Sequence, residues 1–420
     1  MKITKEVHVS CYVHMYFFLS SERRYEMKGL KKMVSLIICI LFTIPIFGCG
    51  KEESSKKQLE SDSYNPWRYT STVVSADDGY YLATYEDNLC YYDIASNQLV
   101  PLCSKPDCEH DTTTCNSYFS GIALGKIMPY DNKLYIAALD NRNALVLYQI
   151  DKDGENRKEI CILYQGGYDA DLGAYINICG GYVYYSMIEF GDSGENTSKL
   201  YRKKIADNSK EEFLYENQED ISCSFLSLMH EFNGILYFTD IYTLKSDTMK
   251  TYGKLYAYNL KSNKLSVESD DISRNFFIHD NKVYYQNLGE TIKTYDLTTK
   301  EKKEFCTYDS TNPRLDISFD GQYVYADNII SCQGNDYSSR KITVYDLNGK
   351  IVDEIVPLHK DCECLFGDER NLVIKYMDIF YFFDKKQIGT DEEEWTTVYP
   401  NAGMKEFYES NNNQDTDEVE

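Results

Sequence analysis

With 420 residues, 43% of them hydrophobic, 39 Tyr and only 8 Pro, the chain is long enough for two domains and apolar enough for a packed core; its composition leans to all-β. A formal net charge of −23 without a basic stripe argues against a phosphate-backbone ligand, so no nucleic-acid partner is expected. The same charge suits a well-solvated surface outside the cell.

The first element in chain order is an export signal at residues 27–48. Lys28, Lys31 and Lys32 form a positive start, and Val34 to Phe47 an apolar run of about 14 residues, short for a spanning helix of roughly 20. Ile46-Phe47-Gly48-Cys49 then resembles a lipobox, where a small residue precedes a cysteine that accepts a diacylglycerol. The resemblance implies cleavage before Cys49 and a lipid anchor on its thiol, at the outer face of the cell membrane. An uncleaved anchor ending near Gly48 is the competing reading, and the order of signal, Gly-Cys and polar tether favours cleavage. Residues 49–65 read as anchor and flexible tether. Residues 1–26 fit none of this and read as an over-extended N-terminus, because Met27 and Met33 are the conventional starts.

Residues 66–400 carry an internal repeat. Each copy has a short apolar strand, a tight Asp/Asn/Gly turn and a strand with Val or Leu before Tyr. A strand of aromatic-x-aromatic-Asp-Leu type follows, then a polar turn and a last strand. Tyr81, Tyr135, Tyr184, Tyr237, Tyr284 and Tyr325 occupy equivalent positions at intervals of 41 to 54 residues, close to the 40–50 of a propeller blade. With a degenerate seventh copy at 364–377, the pattern predicts a β-propeller, most simply of seven four-stranded blades. The acidic stretch 401–420 reads as a disordered tail.

Blades with turns such as Asp151-Lys152-Asp153-Gly154-Glu155-Asn156 resemble the TolB-like and related propeller lipoproteins of low-GC Gram-positive bacteria, over roughly residues 66–400. The resemblance implies architecture and location, and brings no catalytic motif with it.

Fourteen cysteines are present. Cys103, Cys108, His110 and Cys115 form C-x4-C-x-H-x4-C, a grouping open to three readings: a disulfide-tied loop, a zinc site, or unpaired thiols. Cys103 aligns with Cys161 and Cys306 at the ends of fourth strands, where a small buried side chain is wanted. Cys362 and Cys364, in the connection before the last blade, and Cys223, before the fourth, are further disulfide candidates.

No G-x-S-x-G, H-E-x-x-H, Walker or Rossmann fingerprint occurs, so no cofactor is expected beyond zinc at the cysteine loop and no catalytic residue is assigned. His230 and His279, in equivalent first-strand turns, read as structural. Asp151-Lys152-Asp153-Gly154 reads as a hairpin turn rather than a calcium loop. The in-phase Asp93, Asp296, Asp346 and Asp384 read as blade-building residues. The expectation is a membrane-anchored extracytoplasmic binding or scaffolding module for a protein, peptide or glycan. Its partner surface would lie on the long second-to-third-strand loops, including 190–199, 242–254 and 331–340. The alternative is a propeller enzyme such as a glycan hydrolase or lyase, with paired carboxylates in the channel.

Overall fold

The computed structural model describes residues between 72 and 406 apart from short internal segments, the longest being 166–175 and 329–339. Residues 27–48, read from the sequence as a signal peptide, Cys49 and the stretch beyond 406 lie outside the described residues. Among the described residues twenty-eight strands form seven antiparallel groups of four, in chain order: blade 1 (73–101), blade 2 (126–165), blade 3 (176–216), blade 4 (221–269), blade 5 (276–306), blade 6 (316–355) and blade 7 (363–398). The fold is a seven-bladed β-propeller, as the repeat predicts.

One apolar cluster fills each seam. Val74, Tyr81 and Leu89 meet Ile127, Leu134 and Ile150 between blades 1 and 2, and six further clusters follow round to Val73, Tyr80 and Leu82 against Phe366, Phe380 and Phe382 between blades 1 and 7. The middle strands explain this. Gly79–Ala83 is buried along its whole length, Tyr81 facing one seam while Tyr80 and Leu82 face the other. A strand buried on both faces reads as a continuous apolar run. Alternation with exposed residues survives in outer strands such as Gln98–Pro101. All six repeat tyrosines are buried, each contributing on the order of 1.5–3 kcal/mol relative to exposure.

The recurrent aspartates close the turn between third and fourth strands. The carboxylates of Asp93, Asp296, Asp346 and Asp384 accept from the backbone N–H of Ala95, Thr298, Asn348 and Lys386, each two residues on. This is the Asx turn that aspartate favours, and it accounts for their phase in the repeat. In blade 6 that turn also meets the neighbouring blade. Gly349 has φ +79°, and a Cβ there would lie 2.2 Å from Phe305 O on the outer strand of blade 5.

Blades 3 and 4 depart from the pattern. Three strands of blade 4, Ile221–Phe232, Ile235–Leu244 and Asp247–Asn259, are 12, 10 and 13 residues long, against 4 for Asp316–Phe319 and Val324–Asp327 in blade 6. Their excess length overshoots the ring, and a parallel pair, Asn196 with Cys223, joins blades 3 and 4 into one eight-stranded sheet. Cys223 therefore lies inside a first strand rather than before it, because that strand begins early. Cys364 likewise lies within Glu363–Gly367.

Candidate metal centre

The cysteine loop leaves blade 1 after Gln98–Pro101 and is pinned at both ends to the same blade. Leu102 N donates to Leu89 O at 2.8 Å, and Phe119 N to Asp87 O at 2.7 Å. Leu102 and Phe119 are buried in the seam with blade 2. Between them the chain turns through Asp107 and His110, both with φ +58°. A left-handed non-glycine residue costs roughly 1–3 kcal/mol, and two of them in one short loop persist only where other interactions hold the shape.

That shape brings Cys103, Cys108, His110 and Cys115 together, with all four ligand atoms within 4.8 Å of one another. His110 Nδ1 is 3.2 Å from Cys115 Sγ. Tetrahedral zinc with Zn–S near 2.3 Å sets sulfur atoms roughly 3.8 Å apart, so a modest contraction would complete the shell. Cys103, Cys108 and Cys115 are unbridged thiols.

Each sulfur receives the backbone N–H two residues ahead: Lys105 N to Cys103, His110 N to Cys108, and Ser117 N to Cys115 at 3.4 Å. Such donors stabilise thiolate, the form that ligates metal. Burial pushes the Cys103 thiol up, but the N–H groups of Lys105 and Asn116 and the neighbouring Cys115 and Cys108 thiols bring it below its ordinary value. At Cys108 the His110 N–H pulls downward, yet burial and the two neighbouring thiols leave it raised. Three thiols at this spacing cannot all ionise without a cation among them. Elsewhere burial pushes Cys161 up to about 11, and Cys90 and Cys306 up to about 12. Four protein ligands around one point make a closed shell of the structural kind, without the open position that metal catalysis needs.

Blade 2 reads the loop through the turn after Ala144–Asp151. Arg157 Nη1 donates to Cys115 O at 2.8 Å and also to Tyr118 O, and its guanidinium lies 4.0 Å over the Phe119 ring. Asn116 Nδ2 donates to Gly154 O at 2.8 Å. Gly154, with φ +84°, sits so close that a Cβ would lie 2.5 Å from Leu102 O. Asp151–Gly154 is thus a hairpin turn that packs against the cysteine loop.

The other named cysteines stay apart from this cluster. Cys223 Sγ is 3.2 Å from Thr243 Oγ1 in blade 4, and Cys362 accepts from Arg340 at the seam of blades 6 and 7. Both are unbridged. The side chain of Cys364 lies outside the described residues.

The first strands and the residues beside them carry donors that the repeat did not announce. Lys126 Nζ donates to Ile176 O, Asn177 Nδ2 to Met229 O at 2.8 Å, His230 Nε2 to Phe276 O at 3.2 Å, and Asn275 Nδ2 to Asp316 Oδ1 at 2.8 Å. Each link runs from one blade to the next, from blade 2 to blade 6. Burial, together with the charge of Lys126, lowers His230 to about 4, so it stands neutral as a donor. Burial lowers Lys126 to about 7. Asp316 is taken by Asn275, and Glu231 caps Gly234 N at 2.7 Å. His279 lies 3.3 Å from Asp280, and His359 stacks on Tyr376 and meets the Tyr381 hydroxyl at 2.9 Å. These are structural placements.

No protein-family model and no curated protein matches the chain. Among solved structures it is similar to BamB from Moraxella catarrhalis, at 10% identity over 75% of this chain and 82% of that one, with a TM-score of 0.39. It is also similar to a puromycin-hydrolyzing peptidase of Mycobacterium tuberculosis, at 10% identity over 80% and 54% of the two chains, TM-score 0.44. A third, KlHsv2 with loop 6CD replaced by a Gly-Ser linker, shares 10% identity over 80% and 97%, TM-score 0.44. Likenesses this distant assign no activity, and the propeller is recognised from its own seven four-stranded blades and closed ring.

Proposed function

We propose that the chain is an exported lipoprotein, anchored through Cys49 at the outer face of the membrane, whose propeller is a binding scaffold for a protein partner. The supporting observation is the overshoot of blade 4. Strand Asp247–Asn259 pairs on its outer side with Lys264–Ser269 only through Leu255–Asn259, so its first half offers an unpaired edge among the described residues. Thr248, Met249, Lys250 and Thr251 are exposed there, with Met249 81% accessible. An exposed edge is a template for strand addition by an extended segment, which favours a polypeptide over a glycan.

The Cys3His loop, in the same reading, holds zinc as a structural ion. Thiolate and imidazole ligands suit zinc over calcium or magnesium, which take oxygen ligands.

The test of the scaffold places a photo-reactive residue at Met249 or, as a control, at Lys303 on the outer strand of blade 5, in cells making the full chain. Discrete cross-linked protein from position 249 alone is expected; equal labelling from both positions counts against the strand edge as the docking site. Incorporation of a labelled fatty acid, abolished by Cys49→Ala, tests the anchor separately.

A further inference from the structure

We propose that metal occupancy of the cysteine loop and closure of the seam between blades 1 and 2 form one coupled equilibrium, with Arg157 as the positioning residue that joins them. This rests on the reading of Cys103, Cys108, His110 and Cys115 as a zinc site.

Cys115 is the shared atom group. Its Sγ belongs to the ligand cluster, while its carbonyl oxygen, in the same residue, accepts from Arg157 of the next blade. Cys115 is 1% exposed, so neither end can shift without moving the other. The residues on either side are held too: Asn116 donates to Gly154 O, and Ser117 Oγ donates to Asn88 Oδ1 at 3.0 Å. Ligand geometry on blade 1 and turn geometry on blade 2 are therefore set by the same stretch of backbone.

Charge points the same way. Three thiolates, a neutral imidazole and Zn2+ leave a net −1 on the centre. Arg157 is a partly buried cation whose hydrogen bonds go to the carbonyl oxygens of Cys115 and Tyr118 and whose plane faces Phe119 and Tyr148, 4.0 and 5.0 Å from the ring centroids. Burial disfavours its charge, and Tyr148 and then Cys115 favour it. The loaded centre is the counter-ion such a cation wants, and the cation in turn favours the deprotonated ligand set.

Coupling of this sort is reciprocal: whatever Arg157 adds to metal affinity, metal adds to the docking of blade 2 on the loop. Arg157 does not touch the metal, so a merely structural role would lower stability and leave zinc affinity unchanged in the folded protein.

The experiment uses the purified full chain. Zinc affinity is measured by competition with a chromophoric chelator for wild type, Arg157→Lys and Arg157→Ala, and amide exchange is followed with and without zinc. Arg157→Ala is expected to weaken zinc binding about tenfold or more and Arg157→Lys to weaken it less, since tenfold is the equivalent of about 1.4 kcal/mol. Zinc is expected to slow exchange at Asp151 and Gly154, whose N–H groups close the blade 2 turn, without changing that of strand Ile235–Leu244. Asn116→Ala, which removes one link to blade 2, gives a second reading should Arg157→Ala fail to fold. Folded variants with wild-type zinc affinity, or exchange at Asp151 and Gly154 indifferent to zinc, would overturn the coupling while the metal site stands. A wild-type chain that takes up no zinc would overturn the metal site itself.

Discussion

The Tyr80 hydroxyl donates to the carboxylate of Asp368 at 3.0 Å, buried, across 288 positions of sequence. The same carboxylate accepts from Ser75 Oγ at 2.7 Å, and Asn371 Nδ2 donates to Tyr80 at 2.9 Å. Arg370 lies over the Tyr80 ring and donates to Ala76 O and Gly79 O. Blades 1 and 7 are each built from contiguous chain, so side chains close the described ring here, over the apolar contact of Tyr80, Phe366 and Phe382.

Asp368→Ala should therefore cost more than loss of an ordinary surface acid. It strands the Tyr80 and Ser75 hydroxyls and removes a charge facing Arg370, 3.2 Å away. A loss of about 3–5 kcal/mol is expected in urea unfolding at pH 7. A midpoint within error of wild type would mean that blades 1 and 7 are held by apolar packing alone.

Two glycines separate close approach from backbone strain. Gly349→Ala meets Phe305 O at 2.2 Å and also takes an unfavourable φ, whereas Gly234, φ +76°, has nothing within 4 Å of its missing Cβ. Gly234→Ala should cost about 1 kcal/mol, the left-handed penalty, and Gly349→Ala at least about 2 kcal/mol more, since backbone of blade 5 must shift. Equal shifts in thermal midpoint for the two variants would remove the seam contact as a cause.

What the sequence made legible follows from locality. The turn aspartates are visible because each closes a turn within its own blade, and the repeat tyrosines because every seam they fill makes the same demand of the same strand position. Asp320 and Asp368 sit in equivalent first turns, accepting from Gln322 N and Tyr323 N, and from Arg370 N and Asn371 N, respectively. Their second partners, Lys385 for Asp320 and Ser75 with Tyr80 for Asp368, come from other strands and leave no trace in the local pattern. The blade-to-blade donors Lys126, Asn177 and Asn275 escaped for the same reason. In the cysteine loop the four residues were legible as a group, but spacing alone left disulfide, metal and free thiol open. The left-handed turns at Asp107 and His110 and the N–H groups aimed at sulfur decide which atoms converge.

Asp240 gives the fold a measurable pH dependence. It is fully buried in blade 4, and burial raises it to about 6 against the pull of Tyr215 and Asn217, which donate to its Oδ2 at 2.6 Å, and of Lys254. A folded value above the unfolded one, near 4, means that the native chain holds a proton which the unfolded chain has released. The stability this gives is present below about pH 4 and is lost as pH rises through about 6. Asp240→Asn does not titrate, so the wild type should lose about 1–3 kcal/mol relative to it between pH 4 and 7.5. His230, lowered to about 4, works in the opposite direction but is common to both chains and cancels. Parallel stability curves for the two would show that Asp240 keeps its ordinary value.

Thiol reactivity discriminates the cysteine loop from the blade cysteines. The Cys103 thiol is partly accessible, and its value is held down by the N–H groups of Lys105 and Asn116 against burial. Cys90 and Cys306 are buried and raised to about 12. Alkylation depends on the thiolate fraction and on access, so the metal-free full chain treated with iodoacetamide at pH 7.5 should modify Cys103 first. Peptide mass analysis should find Cys90 and Cys306 unmodified until the chain unfolds. Saturating zinc should slow labelling of Cys103, Cys108 and Cys115 together by tenfold or more, because one ion occupies all three sulfurs, and leave Cys161 unchanged. Protection of a single thiol would instead indicate a different ligand set, and labelling of Cys90 as fast as Cys103 would show that the blades open on the timescale of the reaction.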